Sequence, residues 1–145
     1  VTDRPGIVVS PHHLASDAGV DALRQGGNAV DAAIAANAVL GVVAPETCGI
    51  GGDLFALVWD GSEVTCLDAS GWAGSGSDAA ALRQAGHTTI PPFHPVTVTV
   101  PGCVAGWQAL VVRHGRVPLG RLLEPALEFA AHGFPASQEL SEAVR

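Results

Sequence analysis

The sequence contains no lysine. Its seven basic side chains are all arginine, set against fourteen acidic ones, for a formal net charge of -7. No basic cluster exists to meet phosphates, which argues against a nucleic-acid partner. Charge of either sign is scarce, at 14% of residues against 48% hydrophobic, a balance far from that of a disordered chain. No membrane span is expected either. The longest apolar stretch, Ala29 to Ala44, is interrupted by Asp31 and Asn37 and falls short of the ~20 residues a span needs. No basic start followed by an apolar core opens the chain at Val1, which favours the cytoplasm over a periplasmic or secreted location. Cysteine is limited to Cys48, Cys66 and Cys103, an odd number without metal-ligand spacing. The three read as buried small hydrophobes, and neither a metal nor a cofactor is expected. There is no internal repeat and no low-complexity tract.

What the chain does have is the run Gly26-Gly27-Asn28-Ala29-Val30-Asp31-Ala32-Ala33-Ile34-Ala35-Ala36-Asn37-Ala38. The glycines suit the end of one helix. Asn28 is a strong N-cap for the next, and Asp31 puts negative charge in its first turn, where the helix dipole favours it. The alanine-rich helix that follows, to about Leu40, is apolar on nearly every face. It is expected to be buried on all sides, with neighbouring backbones close. At 145 residues the chain has the length of one ordinary domain.

Other elements follow from local pattern. Gly6 to Val9 reads as a short strand, and Ser10-Pro11 as a helix start with proline at the first position. That helix runs to about Gln25 with Leu14, Ala18, Ala22 and Leu23 on its apolar face. Leu54–Trp59 and Val64–Leu67, separated by Asp60-Gly61, predict a β-hairpin. Asp78 caps a short helix to about Ala85. Ile90 to Pro95, with three prolines, is an extended connector,. Val96 to Val100 alternates as a strand, Pro101-Gly102 leads into a helix ending near Arg113, and Leu119 to His132 gives one or two helical turns around Pro125. The class is mixed α/β (α+β).

Few of these residues announce chemistry. Gly49-Ile50-Gly51-Gly52-Asp53 lacks the GxGxxG spacing and precedes a strand where a dinucleotide loop would open a helix. It reads as a tight backbone path entering a buried strand. Asp17, Asp53 and Asp68 show no spacing that pairs them for acid–base work and read as caps and turn acceptors. His12 and His13, adjacent on a helix, point about 100° apart and cannot easily share a metal.

Several blocks together carry a resemblance: His13-Leu14-Ala15-Ser16-Asp17-Ala18-Gly19, Gly26 to Ala36, Gly41-Val42-Val43-Ala44-Pro45-Glu46, Gly49-Ile50-Gly51-Gly52-Asp53, Val98-Thr99-Val100-Pro101-Gly102-Cys103-Val104-Ala105-Gly106-Trp107, Leu122-Leu123-Glu124-Pro125-Ala126 and Gly133-Phe134-Pro135. In this order and spacing the chain resembles the γ-glutamyltransferase (γ-glutamyltranspeptidase) family of N-terminal-nucleophile hydrolases. The resemblance implies a four-layered αββα sandwich, of which this chain would supply one flank and some strands. It implies a precursor that matures by cutting itself in two, with Val1 to Arg145 the opening part of the larger subunit. The chain starts on valine and stops at Arg145 inside a helical pattern, which fits that expectation. The partners implied are the remainder of the large subunit, the small catalytic subunit and a small-molecule amide substrate.

The family's nucleophile is a threonine that becomes the first residue of the small subunit, its own α-amine serving as base. Thr2, Thr47 and Thr65 do not match it, so the nucleophile is expected outside this chain. The loop Gly49, Gly51, Gly52 and Asp53 is expected to shape the substrate cleft. Ser70, Gly71 and Trp72 are the candidate substrate-binding residues. In the γ-glutamyltransferase branch an arginine that holds the substrate's α-carboxylate falls at Ser70 when aligned on Leu67-Asp68. In the related acylase and amidohydrolase branch, with a pattern like Asn-Gly-Ser-Gly-Arg-Ala-Pro, Ser70, Gly71 and Ala73 match and the arginine falls at Trp72. The arginine is missing on either alignment, and a guanidinium is the natural clamp for a carboxylate. Trp72 either meets the substrate or packs as an apolar plug. The resemblance leans to the second branch. The reaction it implies is of the γ-glutamyl peptide or glutathione hydrolase type, an amide hydrolysis or acyl transfer. The alternatives are an acylase or amidohydrolase acting on a non-γ-glutamyl amide, or a scaffold that kept the fold and lost the chemistry.

Overall fold

A computed structural model describes residues 6–90 and 93–144. Thr2, and Pro91-Pro92 of the connector, lie outside them. The elements run α1 (His13–Arg24), α2 (Ala29–Val43), β1 (Leu54–Trp59), β2 (Val64–Ala69), α3 (Ala79–Gln84), a 3-10 turn (Pro95–Thr97), α4 (Cys103–His114), α5 (Leu119–His132) and α6 (Gln138–Ala143). The mixed class is as expected. The chain divides into two compact units, one joining the chain up to Ile50 with the chain from Trp107 onward, the other Gly51–Gly106.

The first unit is built around α2. Asn28 caps it by accepting from the N–H groups of Val30 and Asp31, while the Asp31 carboxylate accepts from the Asn28 N–H. This reciprocal box satisfies donors that a helix start leaves open. Val30, Ala32, Ile34, Ala35, Ala36, Ala38, Val39 and Val43 are buried. Each of the larger ones contributes about 1.5–3 kcal/mol by leaving water. The burial is not on all sides: Ala29 and Ala33 are exposed, and Leu40 is half-buried. Ala15, Ala18, Gly19 and Ala22 give α1 a buried face of small residues. From the C-terminal part of the chain come Trp107, Leu110, Leu122 and Ala126. The Trp107 indole N–H donates to Asn37 Oδ1 at 2.9 Å, and the Asn37 amide donates to Cys48 Sγ at 3.3 Å.

Asp31 is fully buried. Besides capping its own helix it accepts from the N–H groups of Arg116 at 3.1 Å and Val117 at 3.4 Å, while the Asn28 side-chain amide donates to the His114 carbonyl. The start of α2 thereby fastens the α4–α5 connection.

The second unit holds the hairpin. Its strands pair antiparallel with Leu54 opposite Ala69 and Trp59 opposite Val64. The Asp60 carboxylate accepts from the N–H groups of Ser62 and Glu63 and from the Ser62 hydroxyl, closing the loop. Leu54, Ala56, Val58, Thr65, Leu67 and Ala69 are half-buried, and Phe55, Leu57, Trp59, Val64, Cys66 and Asp68 are exposed.

Several local expectations need correction. Gly6–Val9 is no strand: a strand needs a ladder, and no described residue pairs with it. The first helix begins two residues later than Ser10-Pro11 suggests, because His12 is the cap, its Nδ1 accepting from the Leu14 N–H at 3.2 Å. The His12 and His13 rings stack, with centroids 4.8 Å apart. Val96–Val100 is not a strand either. Pro95 opens the 3-10 turn, and only Thr99 forms a bridge, to Ala73. The chain after Leu119 is a single helix of 14 residues that carries Pro125 inside it. Of the cysteines only Cys103 is buried; Cys48 is half-buried and Cys66 exposed. No helix among the described residues is long and apolar enough to cross a membrane.

Candidate functional site

The Ser70-Gly71-Trp72 loop leaves β2 in a turn fixed by Asp68, whose carboxylate accepts from the Ser70 N–H at 2.9 Å. Gly71 then takes φ +74°, and a Cβ there would sit 1.8 Å from the Val100 carbonyl oxygen. Only glycine fits that backbone and that contact. The next carbonyl, of Trp72, accepts from the Val100 N–H at 2.8 Å, and Ala73 bridges to Thr99. The loop is therefore clamped at consecutive residues, and Trp72, clamped through its backbone, points its indole outward at 85% exposure. It is not a plug among the described residues. Ser70 is half-buried.

The same stretch, Thr99 to Cys103, receives the other candidate loop. The Asp53 carboxylate accepts from the Thr99 hydroxyl at 3.0 Å. The Gly52 carbonyl accepts from the N–H groups of Gly102 and Cys103, both at 3.0 Å, which satisfies open donors at the start of α4. Gly52, Asp53 and the Ser70–Trp72 loop are thus gathered on one segment. Sequence reading missed Thr99 and Val100 as the organisers of this arrangement; the Pro101-Gly102 pair that follows them was the available signal. Gly49 belongs to the other unit. The tight path expected for Gly49, Gly51 and Gly52 is not present, since a Cβ at any of them would meet nothing within 4 Å. The strand they precede is half-exposed rather than buried.

Two of the three singled-out carboxylates, Asp53 and Asp68, act as acceptors as expected, and Asp17 is exposed. The threonines set aside as nucleophiles look no better in place. The Thr47 hydroxyl donates to the Ala44 carbonyl, and Thr65 is half-buried within β2. Among the described residues no three His, Cys, Asp or Glu side chains are grouped to hold a metal.

Comparison with known proteins places these features in a family. Residues 15–145 match the family described as Gamma-glutamyltranspeptidase. The glutathione hydrolase-like YwrD proenzyme of Bacillus subtilis is 41% identical over 92% of this chain and 26% of its own length. The oxamate amidohydrolase proenzyme of Klebsiella pneumoniae is 40% identical over 96% of this chain and 27% of its own. Among solved structures, the gamma-glutamyltranspeptidase of Helicobacter pylori superposes with TM-score 0.87 at 32% identity, over 99% of this chain and 42% of that one. The cephalosporin acylase of Bacillus halodurans does so with TM-score 0.81 at 34% identity, over 98% and 30%. The chain spans about a quarter of the length of the curated relatives it matches. Sequence match and shared fold agree, and the chain belongs to the gamma-glutamyltranspeptidase family.

Proposed function

We propose that this chain is part of a larger proenzyme, the N-terminal portion of its large subunit, and that the mature protein hydrolyses an amide or transfers its acyl group. In this reading a threonine outside the 145 residues attacks the amide carbonyl carbon while its own α-amine takes the hydroxyl proton. The C–N bond breaks, the proton passes to the departing amine, and an acyl ester remains on the threonine. Water or a second amine then attacks the ester and releases the acid or the new amide. The described chain provides scaffold and a wall of the cleft.

The observation that carries the specificity is the clamped loop that holds Ser70 half-buried and presents Trp72 to solvent. An indole offers area and a single N–H but no positive charge, so it favours apolar contact over a carboxylate. The reading is an acylase or amidohydrolase preferring small or apolar acyl amides over glutathione. In the full-length precursor, Trp72→Arg or Ser70→Arg should raise kcat/KM for γ-glutamyl donors. The gain expected from one charge-assisted contact is about ten- to a hundredfold. Efficient glutathione hydrolysis by the unmodified protein, with no gain in either variant, would overturn the assignment of this loop.

A further inference from the structure

Arg83 is the only arginine in the unit Gly51–Gly106, which holds Asp53, Asp60, Glu63, Asp68 and Asp78 and no lysine. Arg24 and Arg121 are ion-paired with Asp21 and Glu124, whereas the Arg83 guanidinium has no ion pair or hydrogen bond among the described residues. Its surroundings are shaped by the way α3 ends. Gly86 takes φ +88°, its N–H donates to the Arg83 carbonyl, and the His87 N–H donates back to the Leu82 carbonyl, both at 3.0 Å. This double cap satisfies the last carbonyls of the helix, so they do not compete for the guanidinium. It also folds His87, Thr88 and Thr89 back beside Arg83, where they line a cleft of about 170 Å³ with Leu82 and Ile90.

Leu82 and His87 are shared with a second cleft of about 560 Å³. Its walls are mainly apolar, with Ala81 and Ala85 from α3 and Val96 and Val98 from the segment beyond the connector, and Ser77 and Asp78 line it as well. His94 stands at its rim with its ring edge-on to His87, centroids 5.8 Å apart. The Val96 N–H donates to His94 Nδ1 at 3.2 Å, which leaves Nε2 of the neutral ring as a donor. The arrangement is therefore one cationic fork in a cleft that Thr88, Thr89 and His87 also line, and a second, mainly apolar cleft that shares Leu82 and His87 with it.

We propose that this is a binding site for a small monocarboxylate with an apolar tail, the carboxylate on Arg83 with Thr88 and Thr89, the tail passing Leu82 along Ala85 and Val96. The planar guanidinium matches a carboxylate in a two-point contact. A more highly charged anion such as phosphate is disfavoured by the five acidic residues of the unit. The site is distinct from the Ser70–Trp72 loop, and its test is a binding equilibrium that does not depend on any reaction.

The test titrates the full-length precursor with hexanoate while following the imidazole resonances of His87 and His94. Hexanol supplies the tail without the charge, hexylamine reverses the charge, and inorganic phosphate supplies charge without a tail. Hexanoate should give saturable shifts at both histidines and bind about tenfold or more tightly than hexanol, the worth of one charge-assisted bond. Arg83→Gln, at an exposed helical position, should lose that advantage and leave hexanol binding unchanged. Thr89→Val should weaken hexanoate by a smaller factor. Three results would overturn the proposal: no saturable shift, phosphate or hexylamine binding as well as hexanoate, or undiminished hexanoate affinity in both variants.

Discussion

Asp31 has no contact with solvent, and its charge is stabilised by peptide N–H groups instead: that of Asn28 at 2.8 Å and, from far along the chain, those of Arg116 and Val117. Removing the carboxylate leaves those donors buried without an acceptor. Each orphaned group costs about 1–3 kcal/mol, so Asp31→Ala should destabilise the chain by about 3 kcal/mol or more, a loss in the exceptional range for one residue. Urea unfolding followed by helical circular dichroism should show the midpoint fall accordingly, and a loss below about 1 kcal/mol would mean water takes the carboxylate's place. Half of this role was legible in the sequence. The spacing of Asn28 and Asp31 predicts the cap, because both partners lie within one turn. The bonds to Arg116 and Val117 are not legible, since no local pattern encodes a contact 85 or 86 positions away.

At the scale of elements, the hairpin presents one apolar face. Phe55, Leu57, Trp59 and Val64 are each more than 60% exposed, and among the described residues no third strand pairs with either outer edge of the two-stranded sheet. Contiguous apolar area next to open backbone drives association. The isolated chain should therefore self-associate in light scattering, and replacing Phe55 and Leu57 together by threonine should shift it toward monomer while keeping strand propensity. Equal association by the double variant would place the sticky surface elsewhere. The hairpin was legible because its alternation and its Asp60-Gly61 turn agree. Val96–Val100 was misread because alternation reports a face and not a partner: Pro95 sets a 3-10 turn, and only Thr99 finds a bridge. Gly6–Val9 fails for the same reason. Pro125 misled in the other direction. A helix can keep a proline when packing along its length outweighs the lost bond, and Leu122 and Ala126, on either side of it, are buried.

For the whole molecule the question is what 145 residues can do unaided. Amide hydrolysis by this family's chemistry needs a hydroxyl beside a base, and several hydroxyls here are turned to backbone carbonyls: Ser10 to His12, Thr47 to Ala44, Thr97 to His94. The purified chain should release no p-nitroaniline from γ-glutamyl-p-nitroanilide above the uncatalysed rate, and turnover by an uncontaminated preparation would refute this. The candidate loop was legible only in part. Ser70, Gly71 and Trp72 stood out by comparison with a family pattern, but the clamp that makes Gly71 obligatory depends on Thr99 and Val100, which nothing near residue 70 in the sequence points to.

The bond between Asp31 and Val117 also imposes a schedule. A ribosome adding about 5–20 residues each second needs on the order of ten seconds after Asp31 to deliver Val117, 86 positions further on. Through that interval α1 and α2 can pair with each other, but Trp107, Leu110 and Leu122 do not yet exist to cover them. The nascent chain thus waits with its most apolar helix uncovered, a target for any chaperone at the exit tunnel, and it closes only after the whole inserted unit has been made.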